Sequence, residues 1–211
     1  MVLFSPINLV GPINASIGIG EVLRDFGHRV VFAVRSDWRG KLNVHGFEEE
    51  IIGSSDGTAS DGSAKQKVEE IKDIFGSQTR LDKMIDICKI LLKDEVQEVK
   101  DNEPFLQEIV ERVKPDVILT DHILVIPSLM CSSIPWVLIM SCNPLSFQCG
   151  IDEPKLPPQG LGLPTNGDPK EWSRIRQLLD KSMSDGWTEY NSWLVSKGIP
   201  SLPQYKTIQR D

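Results

Sequence analysis

The sequence has no apolar run long enough to cross a bilayer. Its longest, residues 134–140, contains Pro135 and falls far short of the roughly 20 residues a spanning helix needs. The opening Met-Val-Leu-Phe-Ser-Pro lacks a basic region, a long apolar stretch and a small-residue cleavage site, so no secretory signal is visible. The expectation is a soluble, cytoplasmic protein with no membrane partner. Basic charge is in short supply. Lys and Arg number 23 against 30 Asp and Glu, a formal net charge of -7. The lysines of 65–72 and 93–100 alternate with acids, as on solvated helix faces, and no basic stripe exists. Nucleic acid is excluded as a partner, since gripping phosphates takes clustered cations. The four cysteines form no C-x-x-C pair, and the three histidines show no ligand spacing with them. No metal is expected, and buried free thiols are the expected state of Cys88, Cys131, Cys142 and Cys149.

Nucleotide and nucleophile motifs are missing too. Gly18-Ile19-Gly20 is followed at the third required position by Leu23, which breaks G-x-G-x-x-G, and no G-x-x-x-x-G-K-[ST] occurs. Small residues that let a helix pack close to a sheet explain this glycine loop better than a phosphate cradle. Ser141 has no G-x-S-x-G elbow around it, and Cys142 has no activating histidine close in sequence.

What the chain does contain is a repeated strand–helix–strand pattern. Residues 2–9 are apolar and fit a buried strand. A small-residue loop over 11–20 leads to a helix over 21–26, stopped by Gly27, and 29–34 is a β-branched strand. The unit recurs later: a helix over 105–113, a break at Lys114-Pro115, a strand over 116–120, a helix over 122–132 and a strand over 135–141. An α/β fold with a doubly wound, Rossmann-like parallel sheet accounts for this order. Residues 53–63, rich in Gly, Ser and Asp, predict a mobile surface loop, and 65–101 a charged helix. Five prolines and three glycines over 153–169 predict an extended loop. A helix over 171–197 follows, its Trp and Tyr row more fitting for a core than for a binding surface.

In such sheets ligands bind beyond the carboxyl ends of the strands. Three loops are nominated, over 10–17, 120–122 and 141–147. Asp121 either lines this rim or caps the next helix, aspartate being favoured at N-caps. His28 and His45 read as turn residues, the latter exposed.

These residues resemble a known family. Phe4-Ser5-Pro6, Gly11-Pro12-Ile13-Asn14, Gly18, Gly20-Glu21-Val22-Leu23 and Gly27-His28-Arg29-Val30 look like the start of UDP-glycosyltransferases. Lys114-Pro115-Asp116-Val117-Ile118-Leu119-Thr120-Asp121 and Ile134-Pro135-Trp136-Val137 resemble later segments, in the right order. The resemblance implies one half of a GT-B architecture: residues 1–211 as a single Rossmann-like N-terminal, acceptor-binding domain, with the C-terminal donor-binding domain absent. It implies an inverting transfer of sugar from a UDP-sugar to a small lipophilic acceptor hydroxyl. No cofactor is held in this half, because the UDP-sugar binds mainly in the other. A first-loop histidine acts as general base in the family, oriented by an aspartate at the Asp121 position. Here the histidine's place is taken by Pro12, which has no titratable group. The resemblance therefore implies a chain that is inactive alone, with Asp121 retained and its partner lost. Candidate acceptor-binding residues are Pro12, Asn14, His122, Ser141 and Asn143. His122 standing in as base would need two adjacent side chains to enter the cleft together. The expected partners are the acceptor, and a donor-domain chain or a second copy covering the cleft. Alternatives are a non-catalytic lipophilic-ligand binder and an unrelated α/β enzyme using His122 or Cys142.

Overall fold

A computed structural model describes residues 1–53, 79–141, 155–158 and 160–202. The chain forms two compact units, one of residues 1–59 and 98–142, the other of 60–97 and 143–211. The first holds a parallel sheet of five strands: β1 (Val2–Ser5), β2 (Val30–Arg35), β3 (Glu48–Ile52), β4 (Val117–Thr120) and β5 (Trp136–Leu138), in the order β3-β2-β1-β4-β5. The chain steps outward from β1 to β3, then returns to the other side of β1. Right-handed crossovers therefore place the connecting helices on opposite faces, which makes the sheet doubly wound, as expected.

Between β1 and β2 runs α1 (Val10–Asp25). Residues 11–20, expected as a loop, are helical. Pro12 stands in the first turn, where backbone N–H groups have no intrahelical acceptor to lose. The small residues serve packing: Ile13, Ser16 and Gly20 are the buried face. A Cβ on Gly20 would lie 3.0 Å from the Phe47 ring and 3.4 Å from that of Phe32. Close helix–sheet approach outweighs the roughly 1 kcal/mol a helical glycine costs. At the other end Gly27, at φ +86°, closes the helix, with the His28 N–H donating to the Leu23 carbonyl at 3.0 Å.

The face under α1 is a cluster of Val2, Phe4, Ile13, Val30, Phe32, Val34, Leu42 and Phe47. Phe4 and Phe32 are register partners and stack at 4.7 Å, and Phe47 lies 5.0 Å from Phe32. Leu3, Val31 and Ala33 alternate to the opposite face and are buried as well. Both faces are therefore covered, as parallel sheets require.

Strand β3 has no counterpart in the sequence reading, because Glu48-Glu49-Glu50 reads as solvated charge. Each glutamate has a partner that releases the edge strand from self-repulsion. Glu48 pairs with Arg29 at 2.5 and 2.6 Å. Glu49 accepts from the Gly40 and Leu42 N–H groups at 2.6 and 2.7 Å. Glu50 meets Arg112 at 2.5 Å.

The helix α2 (Arg80–Val113) runs 34 residues through Pro104, where two helices were expected. Val96, Val99, Glu103, Leu106 and Val110 form one buried stripe across the proline, and Pro104 itself is exposed. Burying each apolar side chain is worth about 1.5–3 kcal/mol, so the stripe outweighs the roughly 3 kcal/mol of an interior proline. Lys114 ends the helix at φ +49° ahead of Pro115.

After β4 the helix expected over 122–132 is reduced to α3 (Pro127–Met130). Ile126, preceding a proline, is extended at φ -109°, ψ 115°, and this stops the helix from starting earlier. In the second unit, the described part of the proline-rich stretch has neither helix nor strand, as expected. There α4 (Pro169–Ser196) is capped by the Asp168 carboxylate, which accepts from the Lys170 N–H at 2.9 Å. It buries Trp172, Ile175, Trp187, Tyr190 and Leu194, so the aromatic row is mainly core. Gly186 lets α4 approach Leu92 of α2, to which a Cβ would come within 3.2 Å. Residues 54–63, expected as a mobile loop, and 65–78, expected as helix, lie outside the described residues. No described helix is long and apolar enough to cross a membrane.

Candidate functional site in the crevice between β1 and β4

The sheet reverses its winding between β1 and β4, whose last residues, Ser5 and Thr120, are register partners. In open α/β sheets ligands bind outside the carboxyl ends of the strands at such a switch point. Both hydroxyl residues are buried, as are Asp121 and His122 directly after β4, the last two only 3% and 5% exposed. The Asp121 N–H donates to the Ser5 carbonyl at 3.3 Å, continuing the ladder one residue beyond the strand.

From there the two adjacent side chains part. The Asp121 Oδ1 accepts from the Ser141 N–H at 3.3 Å, whereas the His122 Nε2 lies 3.3 Å from the Ser5 Oγ. They prolong the strand's alternation, with Asp121 following Leu119 and His122 following Thr120. Asp121 does not cap a helix, since the next one begins only at Pro127. His122 is buried rather than at an open rim.

Burial sets the electrostatics here. It pushes the Asp121 carboxyl up, against the opposing pull of hydrogen bonding from Ser141. It also lowers His122 to about 4, so that the imidazole is neutral at pH 7 and its bond with Ser5 is one between uncharged groups. Among the described residues the buried Asp121 Oδ2 has no hydrogen-bond partner, and neither have the Ser16 Oγ on α1 and the Asn8 Nδ2 in the loop before it. A buried carboxylate oxygen without a donor costs roughly 1–3 kcal/mol or more, and native proteins keep few such atoms.

The other sequence candidates are scattered. Pro12 is half-buried in the first turn of α1, and Asn14 is exposed on the same helix with no bond to the crevice residues. Ser141 contributes its backbone N–H and is itself exposed. Asn143 and Cys142 lie outside the described residues. Cys88 and Cys131 are free thiols as expected, but Cys131 is exposed rather than buried. His45 is the half-exposed end of a turn, its Nδ1 2.9 Å from the Glu21 carboxylate. No group of three or more His, Cys, Asp or Glu suited to a metal occurs among the described residues. Sequence reasoning missed Ser5 and Asn8. The one available signal was a polar residue closing an otherwise apolar strand.

No protein-family model matches the sequence, and no curated protein matches it. Solved structures do. The glycosyltransferase of kitacinnamycin matches over 99% of this chain and 44% of its own, at 16% identity and a TM-score of 0.55. SsfS6, a Streptomyces sp. SF2575 glycosyltransferase solved with thymidine diphosphate, matches over 96% of this chain and 47% of its own, at 14% identity and a TM-score of 0.52. The chain spans about half the length of these proteins. The comparison and the five-stranded parallel sheet agree: the chain has a glycosyltransferase-like, Rossmann-type fold, corresponding to about half of a GT-B glycosyltransferase.

Proposed function

We propose that this chain is the acceptor-binding half of an inverting UDP-glycosyltransferase lineage. It holds a small lipophilic alcohol or phenol at the crevice between β1 and β4 and does not transfer sugar by itself. The observation that carries this reading is the Asp121 carboxylate, buried with one oxygen unpaired among the described residues. In the family that the sequence resembles, an aspartate at this position orients a histidine base. The residue at the histidine's place here is Pro12, so an unpaired Asp121 oxygen is the trace the loss should leave.

Inverting transfer needs a base for the acceptor's proton as the sugar carbon is attacked. Pro12 cannot supply one. His122 is a poor substitute: its side chain is turned to Ser5, and a site titrating near 4 gives little driving force for taking a proton from an alcohol. Asp121 can still accept a hydrogen bond from an acceptor hydroxyl and so fix its orientation. In the family that the sequence resembles, the UDP-sugar donor binds mainly in the other half, and this chain spans about half the length of the similar glycosyltransferases.

A melting screen against terpenols and simple phenols tests the binding. A compound at 100 times its Kd should stabilise the protein by about 2.7 kcal/mol. Asp121→Asn should weaken the best ligand by about tenfold, the value of one hydrogen bond to a charged group. If no lipophilic hydroxyl compound raises the melting temperature, the acceptor site is not there.

A further inference from the structure

The segment that carries Asp121 and His122 is tied down at both ends. At the near end stand the Asp121 N–H bond to Ser5 and the Ser5–His122 pair. At the far end α3 is only four residues, too short to hold itself, and Ile126 before it offers no side-chain cap. Pro127, its first residue, has no N–H, so the first backbone donor of the helix is that of Ser128. This N–H donates to the Glu103 carboxylate at 3.1 and 3.4 Å, and the Ser128 Oγ donates to the same carboxylate at 3.0 Å. Glu103 comes from α2 and is 4% exposed.

A glutamate is rarely buried so deeply unless its partners demand it. Between the two anchors, Leu124, Val125 and Ile126 are buried without belonging to a strand or helix. Apolar burial is non-directional and does not fix the register of such a segment, whereas hydrogen bonds to a charged carboxylate do. Cys131, though exposed overall, is also near, and partial desolvation of its thiol together with the charge of Glu103 pushes that thiol up.

We propose that Glu103 is a positioning residue: by accepting from both the N–H and the hydroxyl of Ser128, it fixes the segment from Asp121 to Ile126 and so holds His122 in its buried place against Ser5. The inference rests on the acceptor reading only for its consequence, a correctly set Asp121. Its test needs no ligand, so the two can fail separately.

The readout is the ring-proton titration of His122 by NMR in the full chain, assigned by loss of its signal in His122→Gln. In the wild type the midpoint should lie at about 4. Glu103→Ala should raise it by about one unit or more toward the ordinary value of about 6.5. Glu103→Gln, which keeps an acceptor for the Ser128 N–H, should restore most of the wild-type midpoint. An unchanged His122 midpoint in Glu103→Ala, even with a lowered melting temperature, would reduce Glu103 to an ordinary stabilising contact. Should that variant not fold, Glu103→Leu, which fills the space but offers no acceptor, takes its place, and a wild-type midpoint there overturns the proposal equally.

Discussion

Lowering the pH from 7 to 4 is expected to remove about 3 kcal/mol of folding stability through His122 alone. Its folded-state midpoint of about 4 lies below the ordinary histidine value of about 6.5, because burial disfavours the imidazolium. Between those values the unfolded chain binds a proton that the folded chain refuses. Stability therefore rises with pH through this window, is complete above about 6.5, and is lost as pH falls toward 4. At 1.36 kcal/mol per unit the full interval of about two and a half units is worth about 3.4 kcal/mol, of which about 3 falls between pH 7 and 4 because the folded-state imidazole is already half-protonated at pH 4. Asp121 acts in the opposite sense. Burial raises its carboxyl, so the folded state favours the protonated form and loses stability as pH rises through its titration. The two neighbours partly offset each other, and the His122 share must be isolated by difference. Urea denaturation of wild type and His122→Gln at pH 7, 5.5 and 4 supplies it. The gap between the two proteins should change by about 3 kcal/mol across the series. Parallel pH profiles would mean that His122 is not buried as described.

Truncating Phe32 to alanine should cost about 3–5 kcal/mol, the range for a fully buried aromatic. Phe32 has no exposed surface and lies against Phe4 and Phe47, with Gly20 of α1 packed close to its ring. For a chain of this size the change corresponds to a fall of about 10 °C in melting temperature. The effect should also reach the crevice, because this ring supports α1, whose preceding loop leaves the end of β1. Circular dichroism melts of Phe32→Ala decide the matter, and a fall of less than about 3 °C would place the core elsewhere.

Much of this fold could be read from residue patterns, and the failures have physical causes. Strands β1, β2 and β4 are apolar and bounded by Gly27, by Lys114-Pro115 and by polar ends, so period and punctuation agreed. Strand β3 was hidden because the partners of its glutamates, Arg29 and Arg112, are 19 and 62 residues distant. From sequence the first turns of α1 read as a loop, because glycine and proline disfavour helix interiors. A proline in a first turn and a glycine against a sheet are the exceptions. In α2 the buried stripe overrode Pro104, and no local rule weighs a stripe against a proline.

The candidate site was legible in part. Asp121 and His122 were found at the end of a strand, and the difficulty of both entering one cleft was visible from their adjacency. Their actual partners were not, since Ser5 lies 117 residues from His122 and Glu103 lies 25 from Ser128. Asn14 was named from its place in a motif, but the helical phase of α1 turns it to solvent. Such contacts are fixed by topology, which sequence spacing does not encode.

The central claim is that the crevice binds an acceptor but lacks the base to use it. The most direct test incubates the 211-residue protein with a UDP-sugar and the alcohol or phenol that stabilises it most, and measures glycoside by mass spectrometry. The account predicts no product above the protein-free control, with the acceptor still bound. Glycoside formed with turnover, and abolished by Asp121→Asn, would contradict it.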